Sequence, residues 1–293
     1  MSTMQQVSNR LKQLSESATL AMARMSRELK AQGHNVIALS LGEPDFDTPE
    51  FIKESAKNAI DNNYSHYTPV PGLPELREAI SKKLKRDNKL DYSPDQIVVS
   101  TGAKQSIANI CLSLLNRGDE VILPAPYWVS YYELVKLGEA IPIVVKSSID
   151  NDFKMSPQDL ENAITPNTKM IIFSSPCNPS GTVYSQQELE ELAKVLENYP
   201  NIFVVSDEIY ELINFGVEHF SIARIESIRD RVITVNGVSK GFAMTGWRVG
   251  YIAAPQWIAS ACNKIQGQVT SATCAIAQKA VSYTHLTLPT SPK

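Results

Sequence analysis

One lysine stands in an unusual setting in the stretch "NGVSKGFAMTGWRVG", which follows the apolar run "RVITV". Lys240 has small or neutral neighbours, and the next cation along the chain is Arg248. A lysine amine attacks a carbonyl carbon only after it has lost its proton, and a neutral, enclosed environment favours that loss. The alternative is a surface lysine whose stem covers apolar residues while its amine stays in water. Lys240 is therefore a candidate for covalent chemistry with an aldehyde.

Two other segments place polar side chains directly after apolar runs. "NIFVV" ends in "SDEIY", which supplies the Asp207 carboxylate and the Tyr210 phenol, and "KMIIF" ends in "SSPCNPSG", which supplies the Asn178 amide. Each segment also has a simpler interpretation. Asp207 and Glu208 fit a helix N-cap with a first-turn carboxylate, and Asn-Pro and Ser-Gly pairs are common in turns. Only their shared position after strands favours one common site.

A candidate phosphate-binding element follows the run "QIVVS". "TGAKQS" is a glycine turn that opens a helix, so the amides after Gly102 are placed to hold an anion, although a plain helix start is an equally good interpretation. Trp128 in "APYWVSYYE" is either an aromatic plate for a ring or core filling. Pyridoxal phosphate needs an amine for its aldehyde, a carboxylate for its ring nitrogen, and amides with an arginine for its phosphate. The segments together supply all of these groups.

These groups need a rigid frame, and the chain from Asp95 onward alternates between strands and helices. Seven short apolar runs predict strands: "QIVVS", "EVILP", "AIPIVV", "KMIIFSS", "NIFVVSD", "RVITV" and "VGYIAA". Most are apolar on both faces, as in a buried parallel sheet. The sequence predicts an α/β fold with a mostly parallel sheet and helices on both faces. The ligand crevice of such a sheet lies at the carboxyl ends of its strands.

The chain before Asp95 reads as mostly helical. The spacing of apolar residues predicts a helix over 7–32, and "NVIALS" predicts a short strand. Thr48 and Pro49 fit the cap and first turn of the next helix. A further helix follows "YTPVPGLPE", with apolar residues on one face and lysines on the other.

The charge and composition of the chain argue against several classes of binding partner. The chain has 293 residues, 43% of them hydrophobic, and a net charge of -3. That balance predicts no attraction to nucleic acid or to an anionic membrane, and no run reaches the length of a membrane span. The four cysteines are scattered, without a histidine cluster beside them. This favours reduced thiols in a cytoplasmic protein and no metal site.

At this point the sequence resembles the class I aminotransferases, fold type I pyridoxal-phosphate enzymes of the aspartate aminotransferase kind. "SKGFAMTGWRVG" matches the lysine signature of that family, and "GEPDFDTP", "YTPVPGLPELREAI", "SSPCNPSG" and "SDEIY" occur in the family's order. The segment "SATLAMARMSRELKAQG" is similar to a subgroup of bacterial aspartate and broad-specificity members. The resemblance implies ping-pong transfer of an amino group from an amino acid, such as aspartate, to a 2-oxo acid, such as 2-oxoglutarate.

The resemblance also implies roles for the residues around the cofactor ring. Lys240 resembles the lysine that forms a Schiff base with pyridoxal 5'-phosphate and then moves a proton. Asp207 resembles the partner of the ring nitrogen. Tyr210 and Asn178 resemble the phenol and the amide beside the ring's 3-oxygen. Trp128 resembles the aromatic ring that stacks on the cofactor.

The phosphate end of the cofactor is assigned in the same way. Ser239 and Arg248, with the amides of Ala103 and Lys104 that follow Gly102, resemble the family's phosphate-binding elements.

Contacts from outside this core are implied as well. Tyr67 resembles a tyrosine that reaches the phosphate in the neighbouring subunit, which implies a homodimer. Gly42 resembles the backbone element that closes over the substrate carboxylate. Trp128 and Asn178 are expected to contact the substrate too.

The resemblance ends near Ala280 and implies three regions. We expect an N-terminal arm and partial small domain over 1–48 and a cofactor-binding large domain over 49–280. "VSYTHLTLPTSPK" over 281–293 is interpreted as translated sequencing adapter, the alternative being a divergent native tail. Family members continue into a small domain that supplies the arginine for the substrate α-carboxylate, and no residue of this chain takes that role by motif. We therefore expect a cofactor-binding fragment with negligible turnover.

Other functions remain open on the sequence alone. A fold type I relative with lyase or cyclase chemistry would keep the cofactor and give no amino group swap between an amino acid and an oxo acid. A non-catalytic cofactor-binding fragment would bind without turnover. A cofactor-sensing regulator would need a basic DNA-binding domain, for which the N-terminus has neither the length nor the charge.

Overall fold

The computed structural model describes residues 7–39 and 41–287, and within them one sheet carries the fold. Every strand of the described residues overlaps one of the seven predicted runs, with bounds that differ by one or two residues: β1 (Ile97–Ser100), β2 (Glu120–Ala125), β3 (Ile141–Lys146), β4 (Thr168–Ser174), β5 (Phe203–Asp207), β6 (Val232–Gly237) and β7 (Gly250–Ala253). The strand order is β1-β7-β6-β5-β4-β2-β3. The predicted runs are therefore confirmed as strands of a single sheet.

The directions of the strands decide where the polar segments meet. β7 is antiparallel to both of its neighbours, β1 and β6, and all other pairs are parallel. β1 therefore points the same way as β4, β5 and β6, so that all four carboxyl ends lie at one edge. β7 begins at that same edge. The mostly parallel sheet of the sequence prediction is confirmed, with one antiparallel strand inserted.

Helices cover both faces of this sheet. Their bounds are α1 (Asn9–Lys12), α2 (Ala18–Ala31), α3 (Glu50–Asp61), α4 (Pro74–Lys83), α5 (Ala103–Leu114), α6 (Ser130–Leu137), α7 (Pro157–Ala163), α8 (Gln186–Leu196), α9 (Gln256–Val269) and α10 (Ala275–Thr287). One core joins residues of α3, α4, α8 and α10 to the sheet, and a second joins residues of α5, α6 and α9 to its other face. In β1, Ile97 and Val99 belong to the first core and Val98 to the second, as the two-residue period of a strand requires.

Two predictions for the N-terminal region were wrong. The helix expected over 7–32 is divided into α1 and α2, and the extended backbone of Ser17 (φ -60°, ψ 117°) separates them. The strand expected in "NVIALS" is absent over 35–39, while residue 40 lies outside the described residues. Ile37 and Leu39 are 83% and 91% exposed. A strand needs a neighbour that accepts its hydrogen bonds, and the described part of the chain offers none here.

Two details of the next helices also differ from the sequence prediction. Pro49, and not Thr48, precedes the first residue of α3, and the Thr48 hydroxyl donates instead to the carbonyl of Ala243 at 2.6 Å. In α4, Lys82 is exposed as expected, but Lys83 is only 5% exposed. Its ammonium donates to the carboxylate of Glu211, which lies 128 residues away in sequence. A contact that distant is invisible to helical spacing.

Helix α10 crosses the expected boundary between residues 280 and 281. Val281 and Ser282 are buried, and the Ser282 hydroxyl donates to the carbonyl of Gln278 at 2.9 Å. The rest of the expected tail, 288–293, and the first six residues of the expected arm lie outside the described residues. In the described part of the arm, Leu20 and Met25 are exposed. None of the helices within 7–39 and 41–287 has the length and apolar character needed to cross a membrane.

Candidate active site

A cleft of about 590 Å³ lies at the carboxyl edge of β1, β4, β5 and β6. Ten of the twelve residues assigned from the sequence line it: Gly42, Ala103, Lys104, Trp128, Asn178, Asp207, Tyr210, Ser239, Lys240 and Arg248. Gly102 adjoins them as the N-cap of α5. The fold therefore brings together residues that are spread over 200 positions of sequence, and only Tyr67 lies apart.

The carboxylate at the floor of the cleft is deeply buried. Asp207 ends β5 and is 3% exposed. Its Oδ1 accepts the Ile209 N–H at 3.2 Å, and its Oδ2 accepts the Tyr131 hydroxyl at 2.6 Å. Burial dominates and raises the pKa of Asp207 to about 6, against the lowering effect of these two donors. No lysine, arginine or histidine of the described residues forms an ion pair with it. The cleft thus holds a buried carboxylate without a cation of its own.

A phenol and an amide stand beside this carboxylate. The Asn178 amide donates to the Tyr210 hydroxyl at 3.4 Å. Burial, reinforced by the negative charge of Asp207, raises the pKa of Tyr210. The phenol therefore keeps its proton at neutral pH and remains a hydrogen-bond donor toward an anionic oxygen.

Lys240 reaches the cleft from the loop after β6. Its ammonium donates to the carbonyl of Gly42 and lies 5.7 Å from the centre of the Tyr210 ring. Burial, the largest effect, and the positive charge of Arg248 lower the pKa of Lys240, while Glu43 and Asp207 oppose that shift. The net direction is downward, toward the neutral amine. The surroundings of Lys240 therefore favour its deprotonation, while the Gly42 carbonyl accepts a hydrogen bond from its Nζ.

At the end of the cleft beside α5, two glycines allow the backbone and the Arg248 guanidinium to pack closely. Gly102 has φ +81°, and a Cβ there would lie 2.7 Å from Cζ of Arg248. A Cβ at Gly250 would lie 2.6 Å from the backbone of Gly102. Arg248 has a left-handed backbone (φ 57°), and its guanidinium donates to the Thr245 carbonyl at 2.8 Å. Only glycine allows this packing, which leaves the first N–H groups of α5 beside an arginine.

Two further residues frame the side of the cleft. Trp128 meets Tyr131 edge-to-face, with ring centres 5.5 Å apart and planes at 89°. The Lys104 ammonium lies 5.0 Å from the centre of the Trp128 ring. Partial burial and the charge of Arg248 lower the pKa of Lys104. Lys104 has no ion pair within the described residues, so that its positive charge is available to a ligand.

Sequence reasoning missed Tyr131 as a site residue. It is 1% exposed and contacts both Trp128 and Asp207. The stretch "APYWVSYYE" holds three tyrosines, and no motif distinguishes them. Helical position gives the only usable signal, because Tyr131 and Tyr132 must lie on different faces of α6.

Tyr67 lies outside the cleft. Its side chain is 98% exposed and borders a separate cavity of about 680 Å³ with Tyr64 and His66. Its expected contact with a neighbouring subunit stays a prediction.

A second set of buried charges lies directly behind Asp207. Glu208 is 0% exposed and accepts hydroxyls from Ser206 and Ser221, and its other oxygen lies 3.1 Å from the His219 ring. Glu211 accepts the Lys83 ammonium and the Asn88 amide. We refer to Lys83, Asn88, Glu208, Glu211 and His219 as the rear cluster. Ligand atoms of Glu208, Glu211 and His219 lie within 4.8 Å of one another, but the Lys83 ammonium already serves as the cation of this cluster.

Comparisons with known proteins agree with this geometry. The family model described as "Aminotransferase class I and II" matches residues 34–287. A protein of Rickettsia bellii named "Probable aspartate/prephenate aminotransferase" is 49% identical over 276 residues, which are 94% of this chain and 69% of that protein. The solved aspartate aminotransferase of Thermus thermophilus with maleate is similar with a TM-score of 0.92 and 40% identity, covering 95% of this chain and 72% of that one. That of Rhizobium meliloti has a TM-score of 0.93 and 39% identity, covering 97% and 71%.

Proposed function

Because the chain belongs to the class I and II aminotransferases, we propose that its cleft holds pyridoxal 5'-phosphate for the exchange of amino groups between a dicarboxylic amino acid and a 2-oxo acid. We expect negligible turnover from these 293 residues by themselves, because none of them takes the role of the α-carboxylate arginine by motif. The observation that supports this best is the meeting of Lys240 and Asp207 in one cleft at the ends of the adjacent strands β6 and β5. An amine with a lowered pKa and a buried carboxylate without a cation are what this cofactor requires.

The donor set fits the cofactor at each end. Pyridoxal phosphate supplies an aldehyde that bonds to amines and a ring that takes up the electron pair released at the substrate Cα. The uncompensated Asp207 carboxylate would hold a proton on the ring nitrogen. Tyr210 and Asn178 would donate to the ring oxygen. The glycine-lined start of α5 would bind the phosphate together with Arg248 and Ser239.

Lys240 has two tasks in this proposal. It bonds to the cofactor, and after release its neutral amine carries a proton away from the substrate Cα. The lowered pKa of Lys240 serves both tasks, because a protonated amine neither attacks a carbonyl nor accepts a proton. Trp128 would stack on the cofactor ring and fix its orientation. The Cα–H bond of the substrate would then lie perpendicular to the plane of that ring.

The charges of the cleft favour an acidic substrate. Lys240, Lys104 and Arg248 line it together, against Asp207 and Glu43. With Lys240 assigned to the cofactor and Arg248 to its phosphate, Lys104 is left for a substrate carboxylate. The Thermus thermophilus relative is described with maleate, a dicarboxylate, and the Rickettsia bellii relative is named for aspartate and prephenate. We therefore propose aspartate as the amino donor.

Borohydride trapping tests the cofactor assignment. The full chain is incubated with pyridoxal phosphate, reduced and mapped by mass spectrometry, and we expect the added mass on the peptide that contains Lys240. Lys240→Arg should lose the label, while Lys104→Arg should keep it. Label on another lysine, or none, would overturn the assignment.

Amino transfer is tested with the same protein. Aspartate and isotopically labelled 2-oxoglutarate are supplied, and labelled glutamate identifies transfer, whereas loss of aspartate without glutamate identifies lyase chemistry.

Maleate binding to the cofactor-loaded chain measures the role of Lys104 without turnover. Lys104→Met should weaken maleate binding about fivefold, which corresponds to about 1 kcal/mol, the upper limit for one surface ion pair, and should leave binding of a monocarboxylate unchanged. Equal weakening of both would argue against a substrate role for Lys104.

The homodimer is a separate part of the proposal. The full exposure of Tyr67 supports it, since a large aromatic residue in water is a typical contact residue of an interface. Sedimentation of the cofactor-loaded chain should give twice the monomer mass, and Tyr67→Phe should weaken cofactor binding without changing that mass.

A further inference from the structure

One buried hydroxyl contacts the Asp207 carboxylate. Tyr131 is the second residue of α6, is 1% exposed, and donates its hydroxyl to Oδ2 of Asp207 at 2.6 Å. The other carboxylate oxygen accepts the Ile209 N–H at 3.2 Å. Both donors are neutral, so they stabilise the negative charge without cancelling it.

Because both donors to the Asp207 carboxylate are neutral, its negative charge can still attract a cationic ligand. Charge-assisted hydrogen bonds to an ionised carboxylate are about twice as strong as neutral ones. A lysine in the place of Tyr131 would also stabilise the carboxylate, but it would repel a second cation. A phenol leaves the negative charge available to a cationic ligand ring in the cleft.

The hydroxyl keeps its proton for a physical reason. Burial is the largest effect on the Tyr131 phenol, and the neighbouring Asp207 charge acts in the same direction, so its pKa lies well above the usual value. Tyr131 is therefore a donor throughout the range in which Asp207 titrates.

Tyr131 also contacts the aromatic side of the cleft. Its ring meets Trp128 edge-to-face, with ring centres 5.5 Å apart. One fully buried side chain thus contacts both the carboxylate and the aromatic plate that the proposed cofactor would use.

We infer that Tyr131 is a positioning residue that keeps Asp207 ionised and oriented toward the nitrogen of a cationic cofactor ring. The inference rests on the proposed role of Asp207. The ionisable groups that face Asp207 are Tyr131, Tyr210, Glu208 and Lys240. Only Tyr131 donates a side-chain hydrogen bond to its carboxylate within the described residues.

Tyr131→Phe tests the inference, because it removes one oxygen atom and keeps the ring against Trp128. Pyridoxal phosphate is titrated into the full chain between pH 5 and 9, and binding is followed by absorbance. We expect the acid midpoint of binding to move upward by about one pH unit, from about 6 to about 7, so that binding becomes about tenfold weaker at pH 5 and about twofold weaker at pH 7. Tyr132→Phe is the matched control, since Tyr132 lies against Lys136 (5.3 Å) and should leave both values unchanged.

A measurement without cofactor checks the same bond. The melting temperatures of the wild-type chain and of Tyr131→Phe are compared at pH 4, where Asp207 is protonated, and at pH 8, where it is charged. The difference should be larger at pH 8, because the hydroxyl stabilises the charged form more. A difference that does not change with pH would mean that Tyr131 only fills space.

Asp207→Asn distinguishes the proposed role of Asp207 in cofactor binding from the inferred role of Tyr131. If that variant binds pyridoxal phosphate as tightly as the wild type, the proposed role of Asp207 fails. If it binds weakly while Tyr131→Phe keeps the wild-type acid midpoint, the role of Asp207 stands and the inference about Tyr131 is overturned.

Discussion

Asp207 and Glu211 are four residues apart in sequence and are both buried. Their negative charges are stabilised differently, by neutral hydrogen-bond donors at Asp207 and by a lysine at Glu211. Asp207 faces the cleft, has only neutral donors, and has its pKa raised to about 6 by burial. Glu211 faces the rear cluster, where burial also acts to raise its pKa, but Lys83 and Asn88 outweigh burial and the pKa is lowered. Burial alone therefore does not decide the charge of a side chain. The rear cluster supplies its own cation, while the cleft leaves its carboxylate for a ligand.

This comparison predicts that neutralising the two carboxylates has opposite effects on stability. The largest loss is expected for Glu211→Gln, which leaves the Lys83 ammonium buried without its partner, since the two side chains are 8% and 6% exposed. Removing one partner of a buried pair costs about 3–5 kcal/mol. Urea unfolding of the cofactor-free chain at pH 7 measures the loss.

The control for this variant is Glu190→Gln. Glu190 is exposed on α8 and accepts only the Gln186 amide at 2.7 Å, so its neutralisation should change stability by less than about 0.5 kcal/mol. The double variant Lys83→Met/Glu211→Gln should recover much of the loss, because no charge remains buried. A loss below about 1 kcal/mol for Glu211→Gln would remove the contrast between the two carboxylates.

Asp207→Asn is expected to act in the opposite direction. The folded-state pKa of about 6 lies above the ordinary value of 3.8, so the folded chain binds the proton more tightly than the unfolded chain does. Stability therefore falls as the pH rises from about 4 to about 6 and stays low above that range. At pH 7 the cofactor-free Asp207→Asn chain should be more stable than wild type by on the order of 3 kcal/mol, as measured by chemical unfolding.

At pH 4 the two proteins should have nearly equal stability, because Asp207 is then protonated. The same substitution should weaken cofactor binding, since a neutral amide does not attract a cationic ring. A less stable Asp207→Asn chain at pH 7 would contradict the view that the cleft carboxylate is held at a cost to the fold.

Hydroxyl donors support the rear cluster, and removing one has a smaller expected effect. The Ser221 hydroxyl donates to Glu208 at 2.6 Å. Ser221→Ala should destabilise the chain by about 1.5–3 kcal/mol, the value of a hydrogen bond to a charged group. Thermal unfolding at pH 7 measures it.

Ser106→Ala is the matched control for this substitution. The Ser106 hydroxyl is buried and has no hydrogen-bond partner in the described part of the chain. Its removal should be close to neutral. Equal losses for both variants would mean that volume, and not the bond to Glu208, determines the effect.

The smallest effect is the pH response of His219. Burial, the largest single cause, lowers the pKa of His219, but the carboxylates Glu208 and Glu211 together outweigh it, and the net shift is upward. The resulting stability is fully present below the unfolded pKa of about 6.5 and is lost as the pH rises through the folded value. We expect a loss of about 1 kcal/mol, the size of one net hydrogen bond, on the alkaline side of neutrality. His219→Gln should flatten that part of the stability profile, and an unchanged profile would exclude His219 as its cause.

Most of the cleft was accessible to sequence reasoning because its residues follow parallel strands directly. Asp207 ends β5, Asn178 follows β4, and Lys240 follows β6, so the common direction of these strands brings them together. Arg248 reaches the same edge for a different reason, since it precedes β7, which runs antiparallel and begins there. The sequence motif identified Arg248 without indicating that direction.

Residues that depend on distant contacts escaped the sequence analysis. Tyr131 looks like its neighbour Tyr132 until the fold brings its hydroxyl to Asp207, the last residue of β5. Lys83 looks like another surface lysine until Glu211 is placed beside it. The strand expected in "NVIALS" is absent over 35–39 for the same reason, because its apolar pattern says nothing about whether a neighbouring strand exists.

The amino-acid sequence by itself determined which chemical groups line the cleft and that a mostly parallel sheet brings them together. Strand patterns and the residues that follow each strand are local properties of the sequence. Only the tertiary structure decided which groups are charged and which charge is left without a counterion. Asp207 and Glu211 belong to one short segment, yet their partners Tyr131 and Lys83 come from α6 and α4. The electrostatic free energy of a buried group depends on such neighbours in space, and the fold alone brings them there.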